Sequence, residues 1–215
     1  MEPLIGTKAP DFIATAVVNG NTITPDFSLS QFRNKQYVVL FFYPKDFTFV
    51  CPTEILSFQA SLSEFEKRNV ALIGCSTDSE YSHLAWLETP RERGGIAGVT
   101  FPIVSDINKT ISEDYGVLAG KYVDNDDGTF SISGERVAYR GLFLIDKAGI
   151  IQHCVINNMP LGRSVHETLR MVDALQHFEK HGEVCPANWT QGSQSMIPSH
   201  DGLKQYFSSE HGNRD

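Results

Sequence analysis

Residues 38–55 read VVLFFYPKDFTFVCPTEI, an apolar run followed by a turn that ends in a cysteine and a proline. The apolar run is typical of a strand buried on both faces. Pro52 suits the first position of a helix, where its missing N–H would have had no partner. From Pro52 to Arg68 apolar residues recur at helical spacing. The stretch therefore predicts a strand, a turn and a helix whose N-terminus is capped by Cys51.

Cys51 is predicted to be reactive because of this position. The first amides of a helix lack intrahelical partners, and the N-terminal end of the helix dipole is positive. Both features stabilise a thiolate over a thiol, and the thiolate is the nucleophilic form of cysteine. The sequence thus places a nucleophilic sulfur where a buried strand passes into a helix.

Strands and helices continue to alternate along the chain. Asn19-Gly20 predicts the tight turn of a hairpin over residues 16–23. Ser164 and Glu167 form a capping box that predicts a long helix ending near Gly182. The other predicted elements are strands over 70–76, 141–146 and 149–157 and helices near 82–88 and 110–115.

The acidic segment DNDDG, residues 124–128, superficially resembles a calcium-binding loop. If Gly128 were the turn glycine of such a loop, Val123 and Gly134 would take the first and twelfth positions, so both outer carboxylates are absent. The flanking residues favour a solvent-exposed hairpin instead.

The composition excludes several classes of protein. The formal net charge is −8 and the 18 Lys and Arg are scattered, so nucleic acid is not an expected partner. No apolar run reaches the ~20 residues that span a membrane. The segment Met1-Glu2-Pro3-Leu4 has neither the positive nor the apolar region of a secretory signal. We therefore expect a cytoplasmic protein without membrane contact.

The four cysteines, Cys51, Cys75, Cys154 and Cys185, lie far apart in the sequence. Zinc sites and thioredoxin-type catalysts need short paired spacings, so neither is predicted. Cys75 and Cys154 lie in apolar runs of strand length and are interpreted as small core residues. The interpretation that remains is redox chemistry by thiols that lie far apart in the sequence.

Five separated segments resemble the typical two-cysteine peroxiredoxins. They are residues 41–44, 46–54, 139–146, 161–165 and 181–186, and Pro44, Thr48 and Cys51 meet the pattern P-x-x-x-T-x-x-C. The resemblance implies a thioredoxin-like α/β fold with a central mixed sheet flanked by helices, an N-terminal hairpin and a C-terminal tail. It implies a peroxidase domain over residues 1–180 and a tail over residues 181–215.

The resemblance also implies the activity. The chain is expected to be a thiol peroxidase that reduces hydrogen peroxide and organic hydroperoxides without a cofactor or a metal. Its implied partners are thioredoxin, or a similar dithiol protein, and further copies of itself, as a homodimer that assembles into a decamer. The sequence leaves the preferred peroxide and the reductant open.

The family pattern assigns roles to four residues around the peroxide. Cys51 is the nucleophile, which becomes a sulfenic acid. Thr48 turns its hydroxyl towards the sulfur and the peroxide, and Arg140 brings a permanent cation that holds the distal oxygen. Pro44 forms part of the wall of the peroxide site and offers no backbone N–H there. Taken singly, each residue is better explained structurally, Thr48 as a turn residue, Pro44 as a strand terminator and Arg140 as a surface cation. Together with a helix-capping cysteine, the catalytic interpretation is preferred.

Three further residues complete the implied mechanism. Glu54 and Arg163 are expected to fix the orientation of the catalytic side chains. Cys185 lies beyond the last predicted core helix, and by resemblance it is the resolving cysteine, supplied by the partner subunit. The alternative is a stray exposed cysteine.

Two motifs of the family concern overoxidation. Sensitive members carry G-G-L-G, whereas this chain has Gly94-Gly95-Ile96-Ala97-Gly98, with an additional residue before the last glycine. Tyr206-Phe207 resembles the Y-F motif that packs over the cysteine-bearing helix and delays its unwinding. We therefore expect sensitivity to overoxidation. In addition, the stretch from Lys121 to Tyr139 is longer than the corresponding segment expected for the family.

Two other functions compete with the peroxidase interpretation. A disulfide oxidoreductase of thioredoxin type needs a vicinal cysteine pair, which the residues after Cys51 do not supply. A second activity as a holdase chaperone is left open by the sequence, because ring-forming relatives bind unfolded clients.

Overall fold

The computed structural model describes residues 3–211. Met1 and Glu2, which belong to the N-terminal segment considered above, lie outside the described residues. The chain divides into two compact units, Met1–Arg163 and Ser164–Asp215. The functional division at residue 180 stays a prediction.

The first unit is built on a mixed sheet, as expected. The strands are β1 (Ile13–Val18), β2 (Thr22–Ser28), β3 (Tyr37–Phe42), β4 (Val70–Ser76), β5 (Ile103–Ser105), β6 (Lys121–Asp124), β7 (Phe130–Ser133), β8 (Arg140–Ile145) and β9 (Ile151–Asn157). Seven of them form the sheet in the order β2-β1-β5-β4-β3-β8-β9, while β6 and β7 pair separately. The pairs β3–β4 and β4–β5 are parallel, and the other neighbours are antiparallel.

The helices follow the predicted pattern with one interruption. They are α1 (Cys51–Ala60), α2 (Leu62–Lys67), α3 (Glu80–Glu88), α4 (Thr110–Asp114), α5 (Val165–His181) and α6 (His200–His211). The single helix predicted from Pro52 to Arg68 is divided into α1 and α2, because Ser61 leaves helical geometry with φ −102° and ψ 7°. Apolar periodicity continues across such a break and does not reveal it.

The central strand β3 is buried along its whole length, as predicted. On one face, the Phe41 ring stacks on Phe58 of α1 with centroids 4.6 Å apart. On the other face, the Phe42 ring lies 5.2 Å from Tyr115 and 5.9 Å from Phe143 of β8. Aromatic packing on both faces fixes the end of β3, where the chain turns towards Cys51.

Both predicted hairpins are confirmed. Asn19 and Gly20 take φ values of 54° and 78°, which is the geometry that a tight primed turn requires. The hairpin of β6 and β7 has exposed residues along both strands. Strand β5 was not predicted, since three residues between loops give no periodic signal.

The second unit contains α5, a loop with Cys185, and α6. The Ser164 hydroxyl accepts a hydrogen bond from the Glu167 amide, so the predicted cap is confirmed. Helix α5 ends at His181, and Gly182 caps it with φ 68°, near the predicted end. No helix in the described part of the chain is long and apolar enough to cross a membrane.

Candidate active site

Cys51 is fully buried at the start of α1. Val50, the residue before it, already has helical dihedral angles, so the helix begins at Cys51 and Pro52 is its second residue. The predicted start at Pro52 was therefore one residue late. The sulfur still lies in the first turn, where the helix dipole favours a negative charge.

Arg140 brings a guanidinium to this sulfur. It is the first residue of β8, which pairs with β3, and it is 3% exposed. Its Nη1 lies 3.4 Å from the Cys51 Sγ, and its Nε donates to the Met159 carbonyl at 2.5 Å. The arginine is therefore held on both sides of its guanidinium, and it is not a surface cation.

Glu54 joins Arg140 to Arg163. One carboxylate oxygen accepts from Arg140 Nη1 at 2.6 Å and from Arg163 Nη2 at 3.0 Å. The other accepts from the backbone N of Arg163 at 2.7 Å and from its Nε at 2.8 Å. Arg163 also donates to the carbonyl of Phe42 at 2.8 Å and to that of Gly141 at 2.5 Å. The three side chains thus tie α1 to the ends of β3 and β8.

The charges of this cluster do not cancel. Arg140 and Arg163 carry two positive charges, and Glu54 supplies one negative charge. Burial raises the pKa of Glu54, but the hydrogen bonds and charge of Arg163, together with the charge of Arg140, hold that pKa below its ordinary value. The carboxylate therefore stays ionised, and the remaining positive charge favours an anion beside Arg140.

Replacing Glu54 with glutamine is expected to lower the free energy of unfolding by about 3–5 kcal/mol at pH 7, because two buried arginines lose their counter-charge. The depressed pKa of Glu54 means that its contribution is present above the ordinary glutamate value and is lost as the pH falls through the folded-state pKa. Urea unfolding at several pH values measures both effects.

Glu64→Gln is the matched control, since Glu64 pairs with Lys67 and Arg68 on an exposed surface. The difference in free energy of unfolding between wild type and Glu54→Gln should become smaller as the pH falls. The free energy of unfolding of the control should stay close to that of wild type at every pH. A Glu54→Gln chain as stable as wild type at pH 7 would contradict the importance of this ion-pair cluster.

Pro44 and Thr48 lie in the turn between β3 and α1. Pro44 is buried, and Thr48 is half-buried. The Thr48 hydroxyl donates to the Lys45 carbonyl at 3.0 Å. Among the described residues it makes no hydrogen bond to Cys51, whereas Arg140 does.

A buried polar network behind this turn was not predicted. The Asp46 carboxylate accepts from the Tyr43 hydroxyl and the Ser82 hydroxyl, and it lies 2.8 Å from His83 Nδ1. The backbone N of Asp46 donates to Asp78 at 2.8 Å. Burial and the charge of Asp46 raise the pKa of Tyr43, which keeps its hydroxyl a donor. These bonds hold the turn that carries Thr48.

His83 lies on α3, within the helix that the sequence predicts near residues 82–88. Its pairing with Asp46 spans 37 residues of chain, and no local pattern signals such a contact.

Cys185 lies in the second unit, half-buried beside α5. Its Sγ lies 3.5 Å from the Ala174 carbonyl, to which the thiol donates. Burial raises the pKa of Cys185, the charge of Glu183 raises it further, and the charge of Arg170 opposes both. In this conformation Cys185 is a neutral, docked thiol.

The two overoxidation motifs belong to different compact units, the glycine-rich loop to the first and Tyr206-Phe207 to the second. In the first, the Gly94 carbonyl accepts from the Trp86 indole at 2.9 Å, Ile96 is buried, and Gly98 has φ 92°. In the second, the rings of Tyr206 and Phe207 lie 5.7 Å apart on α6, and Phe207 is half exposed.

The other two cysteines lie in strands. Cys75 is fully buried in the core of β4, and burial raises its pKa well above the ordinary value. Cys154 of β9 is half-buried against the same core. Within residues 3–211 no group of three or more His, Cys, Asp or Glu could hold a metal ion.

Comparison with known proteins gives matches along most of the chain. The model of the AhpC/TSA family matches residues 5–154, and that of the C-terminal domain of 1-Cys peroxiredoxin matches residues 174–209. The chloroplastic 2-Cys peroxiredoxin BAS1 of Hordeum vulgare is 50% identical over 95% of this chain and 90% of its own length. Alkyl hydroperoxide reductase C of Helicobacter pylori is 49% identical over 95% and 96%.

A solved structure agrees with these matches. The reduced 2-Cys peroxiredoxin of Plasmodium vivax superposes with a TM-score of 0.86 at 48% identity, covering 96% of this chain and 100% of its own. The similarity therefore extends to the fold as well as the sequence.

Proposed function

Since the chain belongs to the AhpC/TSA family and is a peroxiredoxin, a thiol peroxidase with a thioredoxin-like fold, we propose that Cys51 is its peroxide-reducing nucleophile. One observation carries this assignment. Cys51 is the buried cysteine at a helix start, and the guanidinium of Arg140 lies 3.4 Å from its sulfur. The other three cysteines do not combine these features in the structure described.

The chemistry follows from this geometry. The Cys51 thiolate attacks one oxygen of the peroxide along the O–O axis, the O–O bond breaks, and the electron pair leaves on the distal oxygen. A proton converts that oxygen to water or an alcohol, and Cys51 becomes a sulfenic acid. Arg140 stabilises the departing negative charge. Thr48 orients the peroxide by its hydroxyl, and Pro44 closes the wall of the site.

Glu54 and Arg163 are proposed as positioning residues. They do not touch the sulfur in the described contacts, but they fix the guanidinium of Arg140 through the shared carboxylate. Preorganised charge is worth more than charge that must reorient during the reaction. The buried cluster therefore supports fast oxidation of Cys51.

Cys185 is proposed as the resolving cysteine of the partner subunit in a homodimer. Its thiol condenses with the Cys51 sulfenic acid, forming a disulfide and releasing water. Thioredoxin, or a similar dithiol protein, then returns both cysteines to thiols. The 2-Cys names of relatives at 48–50% identity support this cycle. Assembly of the dimers into a decamer is part of the same proposal.

Two further expectations are kept as proposals. The Gly94-Gly95-Ile96-Ala97-Gly98 loop and Tyr206-Phe207 are proposed to slow the unwinding of α1, which leaves the sulfenic acid open to a second peroxide. A cytoplasmic location is the other of these proposals.

The test is steady-state kinetics with hydrogen peroxide and an alkyl hydroperoxide, using thioredoxin, thioredoxin reductase and NADPH, or dithiothreitol alone. Wild type is expected to consume NADPH only when peroxide is present. Cys51→Ser should be inactive with every peroxide and both reductants, whereas Cys75→Ser, the buried control, should retain turnover. Activity in Cys51→Ser would refute the assignment of the nucleophile.

A further inference from the structure

The segment that carries Cys185 is closed into a loop by its own backbone. Val184 and Met196 form an antiparallel bridge, in which the Val184 amide donates to the Met196 carbonyl at 2.8 Å and the Met196 amide donates back at 3.0 Å. We call residues 183–196 the Cys185 loop. The bridge brings the two ends of this loop together, and Cys185 directly follows one of them.

Three contacts hold the Cys185 loop on α5. The Cys185 thiol donates to the Ala174 carbonyl, 3.5 Å away. Arg170 Nη1 donates to the Trp189 carbonyl at 2.9 Å, and the buried Trp189 ring packs 4.8 Å from the ring of His177. All of these residues belong to the second compact unit. The loop is therefore docked on the helix both at the thiol and at Trp189.

A polar cluster reinforces the closure of the loop. The Glu183 carboxylate accepts a hydrogen bond from the Ser195 hydroxyl. His177 Nε2 lies 3.6 Å from the same carboxylate oxygen, Oε2. Glu183 precedes Val184 and Ser195 precedes Met196, so the side-chain contact lies next to the backbone bridge. We call Glu183, Ser195 and His177 the latch.

His177 ties the latch to α5. Its Nε2 is buried and makes no hydrogen bond within the part of the chain that the structure describes. A buried polar atom without a partner costs free energy, so an acceptor at this place is stabilising. The Glu183 carboxylate lies within ion-pair distance of this atom. The position of Glu183 is therefore set from two sides, by the loop through Ser195 and by the helix through His177.

The latch carries a negative charge close to the Cys185 thiol. The hydrogen bond from Ser195 holds the pKa of Glu183 below its ordinary value, burial opposes this effect, and His177 adds to it. Burial raises the pKa of Cys185, the charge of Arg170 lowers it, and the charge of Glu183 raises it again. A protonated thiol is a poor nucleophile. Glu183 therefore contributes both to the docking of Cys185 and to keeping its proton.

The docked thiol has to be released before it can take part in the proposed cycle. Disulfide formation brings the Cys185 sulfur to about 2.05 Å from the sulfur of Cys51. The thiol must first leave the Ala174 carbonyl and lose its proton. The S–O bond of the sulfenic acid then breaks, an S–S bond forms, and hydroxide leaves with the thiol proton as water. Each turnover therefore includes an opening of the Cys185 loop.

We propose that the latch, Glu183 with Ser195 and His177, controls the release of Cys185 and thereby the rate at which the Cys51 sulfenic acid becomes a disulfide. The inference rests on the proposed function, in which Cys185 is the resolving cysteine. The three latch residues are positioning residues, because they act through the Cys185 loop and not on the reacting atoms.

The latch also affects overoxidation. While the loop is closed, the Cys51 sulfenic acid persists and meets a second hydroperoxide. The O–O bond of that hydroperoxide breaks, one oxygen is added to the sulfur, and water or an alcohol leaves, which gives a sulfinic acid. A latch that opens more readily should therefore protect Cys51 from this second oxidation.

The test separates the oxidation of Cys51 from disulfide formation. Reduced enzyme is mixed with an equimolar amount of hydrogen peroxide, stopped-flow fluorescence follows the oxidation, and acid quench with a non-reducing gel follows the disulfide. Glu183→Gln and Ser195→Ala should form the disulfide about threefold to tenfold faster than wild type, on the scale of losing one partly exposed hydrogen bond to a charged group. The first oxidation should keep its wild-type rate.

Two further variants are the controls. Ser195→Thr keeps the hydroxyl and should restore the slow formation of the disulfide, which distinguishes the latch from a general loosening of the loop. Asp201→Asn changes a carboxylate that pairs with Lys204 on the exposed surface of α6. It should form the disulfide at the wild-type rate.

Hydrogen exchange in the reduced enzyme measures the opening of the loop directly. The amides of Val184 and Met196 form the bridge, so they exchange when the bridge opens. In Glu183→Gln both amides should exchange faster, by a factor similar to the gain in the rate of disulfide formation. During turnover at high peroxide, the same variant should accumulate less sulfinic acid than wild type, as read by intact mass.

Each contrary result has a distinct meaning. A disulfide-linked dimer that still forms in Cys185→Ser would refute the proposed function on which the latch depends. A dimer that requires Cys185 but forms at the wild-type rate in both Glu183→Gln and Ser195→Ala would overturn the latch alone. Slower disulfide formation in these two variants would also overturn it, because Glu183 would then assist the thiol instead of retaining it.

Discussion

Replacing Arg140 with alanine is expected to slow the oxidation of Cys51 by peroxide at least about 100-fold, on the scale of losing one preorganised charge-stabilising donor. The guanidinium lies 3.4 Å from the sulfur and is held by Glu54 and the Met159 carbonyl. Its loss removes the cation beside the thiolate and the group that stabilises the leaving oxygen. Single-turnover oxidation of the reduced enzyme, followed by stopped-flow fluorescence, measures the effect.

Arg68→Ala is the matched control, because Arg68 is an arginine directly after α2 that pairs with Glu64. It should oxidise at the wild-type rate. Arg140→Lys should recover part of the lost rate, since lysine keeps the charge but not the planar donor pattern that meets Cys51, Glu54 and Met159 together. Oxidation at the wild-type rate in Arg140→Ala would show that the reaction does not use the guanidinium.

Cys185→Ser is expected to remove steady-state turnover with thioredoxin, to below about 1% of wild type, while leaving the first oxidation of Cys51 intact. A sulfenic acid without a second thiol cannot form the disulfide on which a dithiol reductant acts. With peroxide and no reductant, wild type should run as a disulfide-linked dimer on a non-reducing gel. The variant should run as a monomer, and intact mass should show one added oxygen.

Cys154→Ser serves as the control, because Cys154 is also a half-buried thiol. It should still form the linked dimer. Loss of the dimer in Cys154→Ser with retention in Cys185→Ser would mean that the resolving cysteine has been misassigned.

The elements that the sequence predicts well are those with a strong local signal. The apolar run of β3, the Asn19-Gly20 turn and the Ser164 cap each depend on neighbouring residues, and each is confirmed. Strand β5 is too short for periodicity to reveal, and it is defined by pairing with β1 and β4. The break in the helix at Ser61 is also not predicted, because the apolar pattern continues through it.

The family motifs point to the candidate site residues in the sequence. They do not show which of these side chains contact one another. That Arg140 is buried and that Glu54 bridges two arginines depend on side chains from separate elements. The sequence likewise gave no reason to join Asp46 to His83, because each alone is compatible with a solvated turn or a helix face. Such pairings exist only once the sheet has brought its strand ends together.

The dispersal of the site along the chain has a consequence during synthesis. Cys51 and Arg140 are 89 residues apart, and Glu54 and Arg163 are 109 residues apart. A ribosome adds about 5–20 residues per second, so Glu54 is made roughly 5–20 s before its second arginine. Before Arg140 is made the nascent Cys51 has no adjacent guanidinium, and before Arg163 is made the Glu54 carboxylate is not bridged. We therefore expect the nascent Cys51 to react as an ordinary thiol until the cluster is complete. We expect this delay to limit oxidation of the growing chain at a stage when Cys185 has not yet been translated.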